Sequence, residues 1–215
     1  MVMWVFGYGS LVWNPGFAYD ARLVGFVRDY RRVFYQGSTD HRGTPEFPGR
    51  TVTLEHQPGS TCWGVAYKIS REQDKQTALE YLEVREKQYD EKVYLDLYTD
   101  SSLKIPAVQD MMVYLATTNK EANQNYLGPA PLEEMAKQIY LAKGPTGPNT
   151  EYLFKLEDAL NKIVMCSWQV LWISMFRIWR MLCALMQTPC NNVVIGSHEG
   201  GIDCCGSIFI LVRSE

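Results

Sequence analysis

Short runs of β-branched and aromatic residues, separated by clusters of Gly, Pro, Asp and Ser, dominate the first half of the chain. Such runs are typical of β-strands bounded by turns. Strands are predicted at 2–6, 23–27, 32–36, 50–54 and 62–69, and further ones within KVYLDLYTD (92–100) and QDMMVYLAT (109–117).

Helical spacing first appears in residues 71–88, a polar segment in which Ala78, Leu79 and Leu82 recur at helical intervals. Two further helices are predicted, at 131–143 with Pro131 near the first turn, and at 149–163 with Asn149 or Thr150 as a cap. Strands come first, and helices are inserted and then terminal. This order predicts an α+β fold with a curled or barrel-like sheet rather than a doubly wound one.

The composition changes after Val164, and we therefore divide the chain into a folded domain, residues 1–163, and an atypical tail, residues 164–215. The tail is rich in Cys and Trp, and runs such as CSWQVLWISMFRIWRMLCALM have no clean period. A membrane anchor is one interpretation, but the uncharged run at 163–176 is about 14 residues, short of the roughly 18 to 20 needed to span a bilayer. The preferred hypothesis is a tail derived from read-through or alternative splicing.

Composition and charge narrow the functional class. A chain of 215 residues with 47% hydrophobic content can bury a sizeable core in one domain. The formal net charge of -3 provides no basic stripe for phosphates, so nucleic acid is not an expected partner and a small molecule is. The N-terminus has no signal-peptide pattern, and the six cysteines have no metal-type spacing. A reduced, cytoplasmic protein without stable membrane insertion is expected.

A glycine-rich segment, FGYGSLVW at 6–13, follows the first predicted strand. Gly7 and Gly9 allow the backbone to turn so that its N–H groups point inward together and bind an anion. With the Ser10 hydroxyl, such a loop can hold a carboxylate or stabilise an oxyanion. The alternative is an ordinary tight turn between strands, because G-x-G alone is a weak signal and the phosphate-loop pattern is absent.

Glu86 stands out in the helix predicted at 71–88. Leu79, Leu82, Glu86 and Tyr89 fall on one helical stripe, which places a carboxylate among apolar residues. Burial there raises the pKa of a glutamate toward neutrality, as a general acid or base requires. Glu83, at the margin of the stripe, is a second candidate. The alternative is that Glu86 points outward from a frayed helix end or pairs with Arg85.

A long Gly- and Pro-rich loop, 36–49, is a further candidate for function, because long loops in compact domains often carry it. Arg42 in this loop, or Arg50 just beyond it, could pair with a substrate carboxylate, and Asp40 with His41 could orient a neighbour. An internally hydrogen-bonded surface loop is the alternative. His41 has no partners that complete a metal site, so no metal ligand is predicted.

The remaining candidates are weaker. Tyr126, in the turn YLGPAP before a predicted helix, could face a ligand. Cys62 lies in the apolar segment CWGVAY, where a small buried hydrophobic residue is the usual explanation, so a catalytic cysteine is not expected.

Five blocks along the chain resemble, in the same order, the ChaC family of glutathione-specific γ-glutamylcyclotransferases. They are FGYGSLVW at 6–13, GSTDHRGTPEFPGR at 37–50, CWGVAY at 62–67, YLEVREKQY at 81–89 and YLGPAPLEEMAKQI at 126–139. The resemblance covers about residues 3–162 and implies the family's fold, a small mixed β-barrel with flanking helices. It also implies the site, with Glu86 catalytic and the γ-glutamyl group bound by the loop Gly7, Tyr8, Gly9, Ser10, Leu11 and Val12.

The resemblance implies conversion of glutathione to 5-oxoproline and Cys-Gly. Arg42 or Arg50 is then a candidate partner for the glycine carboxylate of the peptide, and Tyr126 remains a further binding candidate. Two alternatives stay open: the same reaction on other γ-glutamyl amino acids or γ-glutamylamines, and a regulatory protein that binds the ligand without turnover. No cofactor or metal is expected, although a loosely bound divalent ion such as manganese is compatible with the sequence. A monomer or weak dimer is expected. The tail departs from the family, whose members continue with a more polar helical segment.

Overall fold

The computed structural model describes residues 2–100 and 104–163 of the chain. The expected tail, residues 164–215, lies outside the described residues, and the division of the chain at residue 163 stays a prediction. The strands are β1 (Met3–Gly7), β2 (Ala21–Ser38), β3 (Gly49–Ile69), β4 (Glu91–Leu97), β5 (Val108–Leu115), β6 (Lys143–Gly144) and β7 (Gly147–Pro148). The helices are α1 (Glu72–Arg85), α2 (Leu132–Leu141) and α3 (Asn149–Ile163), with a 3-10 turn at Ser10–Val12.

Five strands form one mixed sheet in the order β2-β3-β1-β5-β4. The β2–β3, β3–β1 and β5–β4 pairs are antiparallel, whereas β1 and β5 run parallel. β6 and β7 form a separate two-stranded ladder before α3. The predicted α+β class is therefore confirmed.

A closed barrel is not supported. The sheet is open, with β2 and β4 at its two edges. The edges approach at one isolated antiparallel bridge, in which the N–H groups of Phe26 and Tyr98 each donate to the other's carbonyl at 2.8 and 2.9 Å. A barrel needs a continuous ladder between its first and last strands, and one bridge beyond the end of β4 does not provide it.

β2 and β3 are longer than the sequence pattern predicts. Each contains two of the predicted strands, joined through an irregularity between the pairs Arg28–Thr61 and Tyr30–His56. Asp29 has a positive φ of 61° there, and its carboxylate accepts a hydrogen bond from the Gly59 amide at 2.7 Å. The polar residues that looked like turns between strands instead form a bulge within one long hairpin.

The helices agree with the predicted segments except at one end. α3 has the predicted bounds, and α2 lies inside its predicted segment, whereas α1 ends at Arg85, three residues before the predicted end. The Asn149 side chain, expected as a cap, instead accepts from the Arg50 amide at 2.6 Å and donates to the Arg50 carbonyl at 2.9 Å. This pairing connects the start of α3 to the start of β3.

The main core lies where β1, β3 and β5 meet α2 and α3. Phe6, Val113, Ile139, Leu153 and Leu156 are all at most 1% exposed in this core. A second cluster packs α1 onto the other face through Ala78 and Leu82, both fully buried. Because α1 is held along its length, the residue that follows it is placed in a defined position at the sheet. Within the described residues, no helix is long and apolar enough to cross a bilayer.

Candidate active site

A cavity of about 640 Å³ opens between the glycine-rich loop after β1, the loop between β2 and β3, the end of α1 and one face of α3. Many of the predicted site residues line it. Those lining it are Tyr8, Gly9, Ser10, Leu11, Asp40, His41, Arg42 and Glu86. The fold therefore brings together segments that are more than 100 residues apart in sequence.

The glycine-rich loop forms one wall of this cavity through Tyr8, Gly9, Ser10 and Leu11, whereas Gly7 and Val12 do not line it. Gly7 is the last residue of β1, and Val12 packs into a buried cluster with α3. Neither Gly7 nor Gly9 has a positive φ. A Cβ on Gly7 would lie 2.6 Å from Leu11 Cβ, and one on Gly9 would lie 3.0 Å from Val52 Cγ2. The glycines are therefore required for close packing rather than for a left-handed backbone.

Hydrogen bonds hold the loop from both sides. The Arg32 Nε donates to the Tyr8 carbonyl at 2.7 Å, and the Tyr8 hydroxyl donates to the Tyr114 carbonyl at 2.6 Å. Ser10 and Leu11 begin the 3-10 turn, where amides have no partner inside the turn. Such amides beside a cavity are suited to bind an anionic group.

Glu86 directly follows α1 as its C-cap, and its N–H donates to the Leu82 carbonyl at 2.8 Å. Its side chain is only 12% exposed and lines the cavity. The outward orientation considered from the sequence is therefore wrong, although the pairing with Arg85 does occur, with Arg85 Nε 3.3 Å from Glu86 Oε1. Burial raises the pKa of Glu86 above the ordinary 4.5, and the neighbouring Arg85 and then His41 oppose this shift.

Glu83, the second candidate, does not line the main cavity. Its side chain is 55% exposed and forms an ion pair with Lys92. Glu83 is thus solvated and already paired, and it lies outside the cavity that Glu86 lines. The helical pattern left both glutamates as candidates for the general acid or base, and the structure favours Glu86 over Glu83.

Arg85 is a site residue that sequence reasoning treated only as a neutralising neighbour. Besides Glu86, its Nη2 donates to Ser10 Oγ at 2.9 Å, and its Nη1 donates to the Asn14 carbonyl at 2.6 Å. The guanidinium therefore connects the carboxylate after α1 to the glycine-rich loop. Its adjacency to Glu86 in sequence gave no sign of this reach, because the contact joins residues 75 positions apart.

Four tyrosines, three of them buried and Tyr89 partly buried, form the inner wall of the cavity and were not predicted as a group from the sequence. They are Tyr8, Tyr89, Tyr114 and Tyr152. Burial is the first cause that raises the pKa of each, with the charge of Glu86 contributing to all four. These phenols are therefore neutral donors near neutral pH. Tyr8 and Tyr89 lie in two of the segments that resemble the family, FGYGSLVW and YLEVREKQY, which is the sequence signal that pointed to them.

The loop between β2 and β3 closes one side of the site and is tied to the residues after Glu86. Lys87 Nζ lies 2.7 Å from Asp40 Oδ2, and Gln88 Nε2 donates to Thr39 Oγ1 at 2.8 Å. Although burial opposes it, Lys87 and then His41 lower the pKa of Asp40. His41 Nδ1 lies 2.7 Å from Asp40 Oδ1, as the orienting pair predicted from the sequence requires.

The two candidate arginines have different places. Arg42 lines the cavity, and its Nη1 lies 3.3 Å from Glu151 Oε2. Arg50 does not line it and is only 5% exposed. Its guanidinium donates to Gln138 Oε1 at 2.6 Å and to the carbonyls of Phe34 and Gly128 at 2.8 and 2.9 Å. Arg50 is thus a structural residue, and its proposal as a ligand partner is corrected.

Tyr126 is also outside the cavity lining. It is 9% exposed, forms an isolated bridge with Gln36 and packs edge-on against Tyr35. Cys62 is fully buried, and burial raises the pKa of its thiol. Within residues 2–100 and 104–163, no group of three or more His, Cys, Asp or Glu side chains is arranged to hold a metal ion.

Comparison with known proteins finds relatives that are described as ChaC-like proteins or γ-glutamylcyclotransferases. A family model described as ChaC-like protein matches residues 3–175. γ-Glutamylcyclotransferase 2-3 of Arabidopsis thaliana is 64% identical over 163 residues, covering 76% of this chain and 82% of that protein. Glutathione-specific γ-glutamylcyclotransferase 1 of Homo sapiens is 47% identical over 165 residues, covering 74% and 70%.

A solved structure supports the same relationship. The crystal structure of a yeast γ-glutamyl cyclotransferase described as specific to glutathione aligns with a TM-score of 0.71 and 29% identity. The alignment covers 86% of this chain and 99% of that one. The open mixed sheet with flanking helices is thus similar to the fold of that protein.

Proposed function

Because the chain belongs to the ChaC-like family, we propose that it is a glutathione-specific γ-glutamylcyclotransferase that converts glutathione to 5-oxoproline and Cys-Gly. The observation that carries the proposal is the placement of Glu86. A buried carboxylate with a raised pKa lies in a cavity beside Arg85, which also contacts the glycine-rich loop. The human and yeast relatives described as glutathione-specific support the choice of substrate.

The reaction needs no water as a nucleophile. The α-amine of the γ-glutamyl group attacks its own γ-carbonyl carbon, forming the ring C–N bond, and the C–N bond to the cysteine residue breaks. Holding the folded conformer makes the step intramolecular, and such steps gain effective molarities of about 10⁵ to 10⁸ M. The tyrosines and the glycine-rich loop that line the cavity suit this demand for positioning.

Glu86 carries the proton. The ammonium group must lose a proton before it attacks, and the departing nitrogen must gain one, so one carboxylate can serve both steps in sequence. Arg85 and Ser10 receive the α-carboxylate of the γ-glutamyl group. The amides at Ser10 and Leu11 stabilise the oxyanion that develops on the γ-carbonyl oxygen. Arg85 therefore positions Glu86 and the γ-glutamyl group relative to each other.

The test is incubation of the purified chain with reduced glutathione and quantification of both products. We expect equimolar 5-oxoproline and Cys-Gly, and much slower release of 5-oxoproline from γ-glutamyl-alanine run in parallel. Faster turnover of γ-glutamyl-alanine would instead assign the enzyme to other γ-glutamyl amino acids. Thermal stabilisation by glutathione without any product would leave a binding protein and overturn the proposed activity.

The pH dependence of kcat/KM should report the ionisation of the Glu86 carboxyl group. Its base form is the deprotonated carboxylate, and its pKa is raised above 4.5 by burial. Activity should therefore fall as the pH falls through this raised value, so the acid limb lies at higher pH than for an exposed glutamate. A pH–rate profile measured with constant ionic strength checks this. An acid limb at the value of an exposed glutamate would contradict it.

We also propose that the enzyme acts without a bound cofactor, in the cytoplasm, as a monomer or weak dimer. The composition and the cysteine spacing, which is unlike that of a small disulfide-rich secreted scaffold, support the location. Unchanged kcat after dialysis against a chelator is the expected result for a metal-free reaction. A loss of activity that manganese restores would overturn this part of the proposal.

A further inference from the structure

The charged groups near Glu86 are already balanced in pairs. Arg85 Nε lies 3.3 Å from Glu86 Oε1, with both side chains less than 15% exposed. Lys87 Nζ lies 2.7 Å from Asp40 Oδ2, and His41 lies against the other oxygen of the same carboxylate. This part of the cavity wall therefore matches each carboxylate with a cation.

Two further cations line the same cavity and share a single carboxylate. Arg42, from the loop between β2 and β3, lies with its Nη1 3.3 Å from Glu151 Oε2. Lys155, one turn further along α3, pairs with the other oxygen of Glu151. Glu151 itself does not line the cavity. Two positive charges against one negative charge leave an excess of one positive charge on this side.

The substrate has a complementary distribution of charge, and this step rests on the proposed function. At neutral pH the γ-glutamyl end of glutathione carries an ammonium group and a carboxylate, which match Glu86 and Arg85. One negative charge remains, on the glycine carboxylate at the other end of the peptide. The cavity offers its excess positive charge at Arg42 and Lys155, which pair with Glu151 and not with Glu86.

The Lys155 side chain is suited to exchange partners. It is 50% exposed, so its ammonium group keeps a flexible stem, and its partner Glu151 is 39% exposed. An exposed ion pair of this kind within a helix contributes little to stability. Releasing Glu151 to bind an incoming carboxylate therefore costs little, since Arg42 continues to hold Glu151.

We propose that Lys155, together with Arg42, forms the subsite for the C-terminal carboxylate of the peptide substrate. This subsite makes the enzyme select γ-glutamyl peptides with a free C-terminal carboxylate over γ-glutamylamines and C-terminally blocked peptides. Lys155 is thus a substrate-contacting residue that determines specificity, and it takes no part in proton transfer.

The test crosses one substitution with one change in the substrate. Wild type and Lys155→Met are assayed with glutathione and with glutathione whose glycine carboxylate is a carboxamide. Removing one partner of a charge-assisted hydrogen bond lowers affinity by about tenfold. We expect wild type to prefer glutathione by about tenfold in kcat/KM, mainly through KM, and Lys155→Met to lose most of this preference.

The matched control is Lys162→Met. Lys162 lies on the same helix and forms the same i,i+4 type of pair, with Asp158, but does not line the cavity. This variant should retain the wild-type preference. If Lys155→Met slows both substrates equally, or leaves both unchanged, the subsite is not formed by Lys155 and the inference fails.

A binding measurement separates this inference from the proposed function. Calorimetry on Glu86→Gln and on Glu86→Gln/Lys155→Met compares Kd for glutathione and for its carboxamide without turnover. The same loss of preference in Kd supports the subsite even if the wild-type chain forms no 5-oxoproline, a result that would overturn only the proposed activity. Equal Kd ratios in the two variants overturn the subsite even if glutathione is turned over.

Discussion

Replacing Glu86 with Gln should lower kcat for glutathione by about 10² to 10⁴-fold, the range that a positioned general acid or base contributes. The amide keeps the shape of the side chain but cannot take a proton from the ammonium group or return one to the departing nitrogen. Measured as 5-oxoproline released per folded molecule, this loss should appear in kcat, while Kd for glutathione changes little. The acid limb of the pH–rate profile should also disappear.

Glu83→Gln is the control for this result. Glu83 lies one turn earlier on α1, is largely exposed and pairs with Lys92 outside the main cavity. Its substitution should leave kcat within about twofold of wild type, since exposed ion pairs of this kind contribute little. A Glu86→Gln variant with wild-type kcat would contradict the assignment of Glu86 as the general acid and base. A large loss of kcat in Glu83→Gln would assign that role to Glu83 instead.

The Glu86→Gln protein should be at least as stable as wild type at neutral pH. Because the folded-state pKa of Glu86 is raised, its contribution to stability is complete below the unfolded-state pKa and is lost as the pH rises through the folded-state value. At neutral pH the buried charge is therefore a cost that Gln removes. Arg85 keeps its hydrogen bonds to Ser10 and Asn14. Thermal unfolding at pH 7 measures the difference in Tm.

Replacing Arg50 with Met should destabilise the fold by about 3 kcal/mol or more while leaving the chemistry intact. The change leaves the carbonyls of Phe34 and Gly128 and the amide oxygen of Gln138 without a donor. Each buried acceptor left unsatisfied costs about 1 to 3 kcal/mol. For a domain of this size the corresponding fall in Tm is roughly 10 °C. Calorimetry and kinetics at a temperature where the variant is folded measure both effects.

Arg42→Met should give the opposite result. Arg42 lines the cavity and contacts Glu151 and the Pro148 carbonyl, so its loss should raise KM for glutathione with a smaller fall in Tm. If Arg50→Met is too unstable to assay, Arg50→Lys keeps the charge and one donor and should lie between it and wild type in Tm. An Arg50→Met protein with unchanged Tm and a raised KM would contradict the structural assignment.

Local patterns in the sequence predicted the elements more accurately than their connections. β-Branched and aromatic runs located every strand of the main sheet, and the segment predicted as helical at 149–163 coincides with α3. The same patterns divided β2 and β3 into shorter strands, because a bulge and a turn contain the same polar residues. A barrel-like sheet was predicted from the order of the elements and from the family resemblance, and it was not supported, since closure depends on pairing between strands distant in sequence.

The sequence by itself determined which residue types were available for chemistry: a glycine-rich loop after a strand, a carboxylate on an apolar stripe, and arginines near a long loop. Only the tertiary structure decided among them. It buries Glu86 and exposes Glu83, turns Arg42 toward the cavity and Arg50 toward buried carbonyls, and extends Arg85 to Ser10. The physical reason is that burial and hydrogen bonding at each position depend on segments remote in sequence, whereas a sequence pattern reports only the local period.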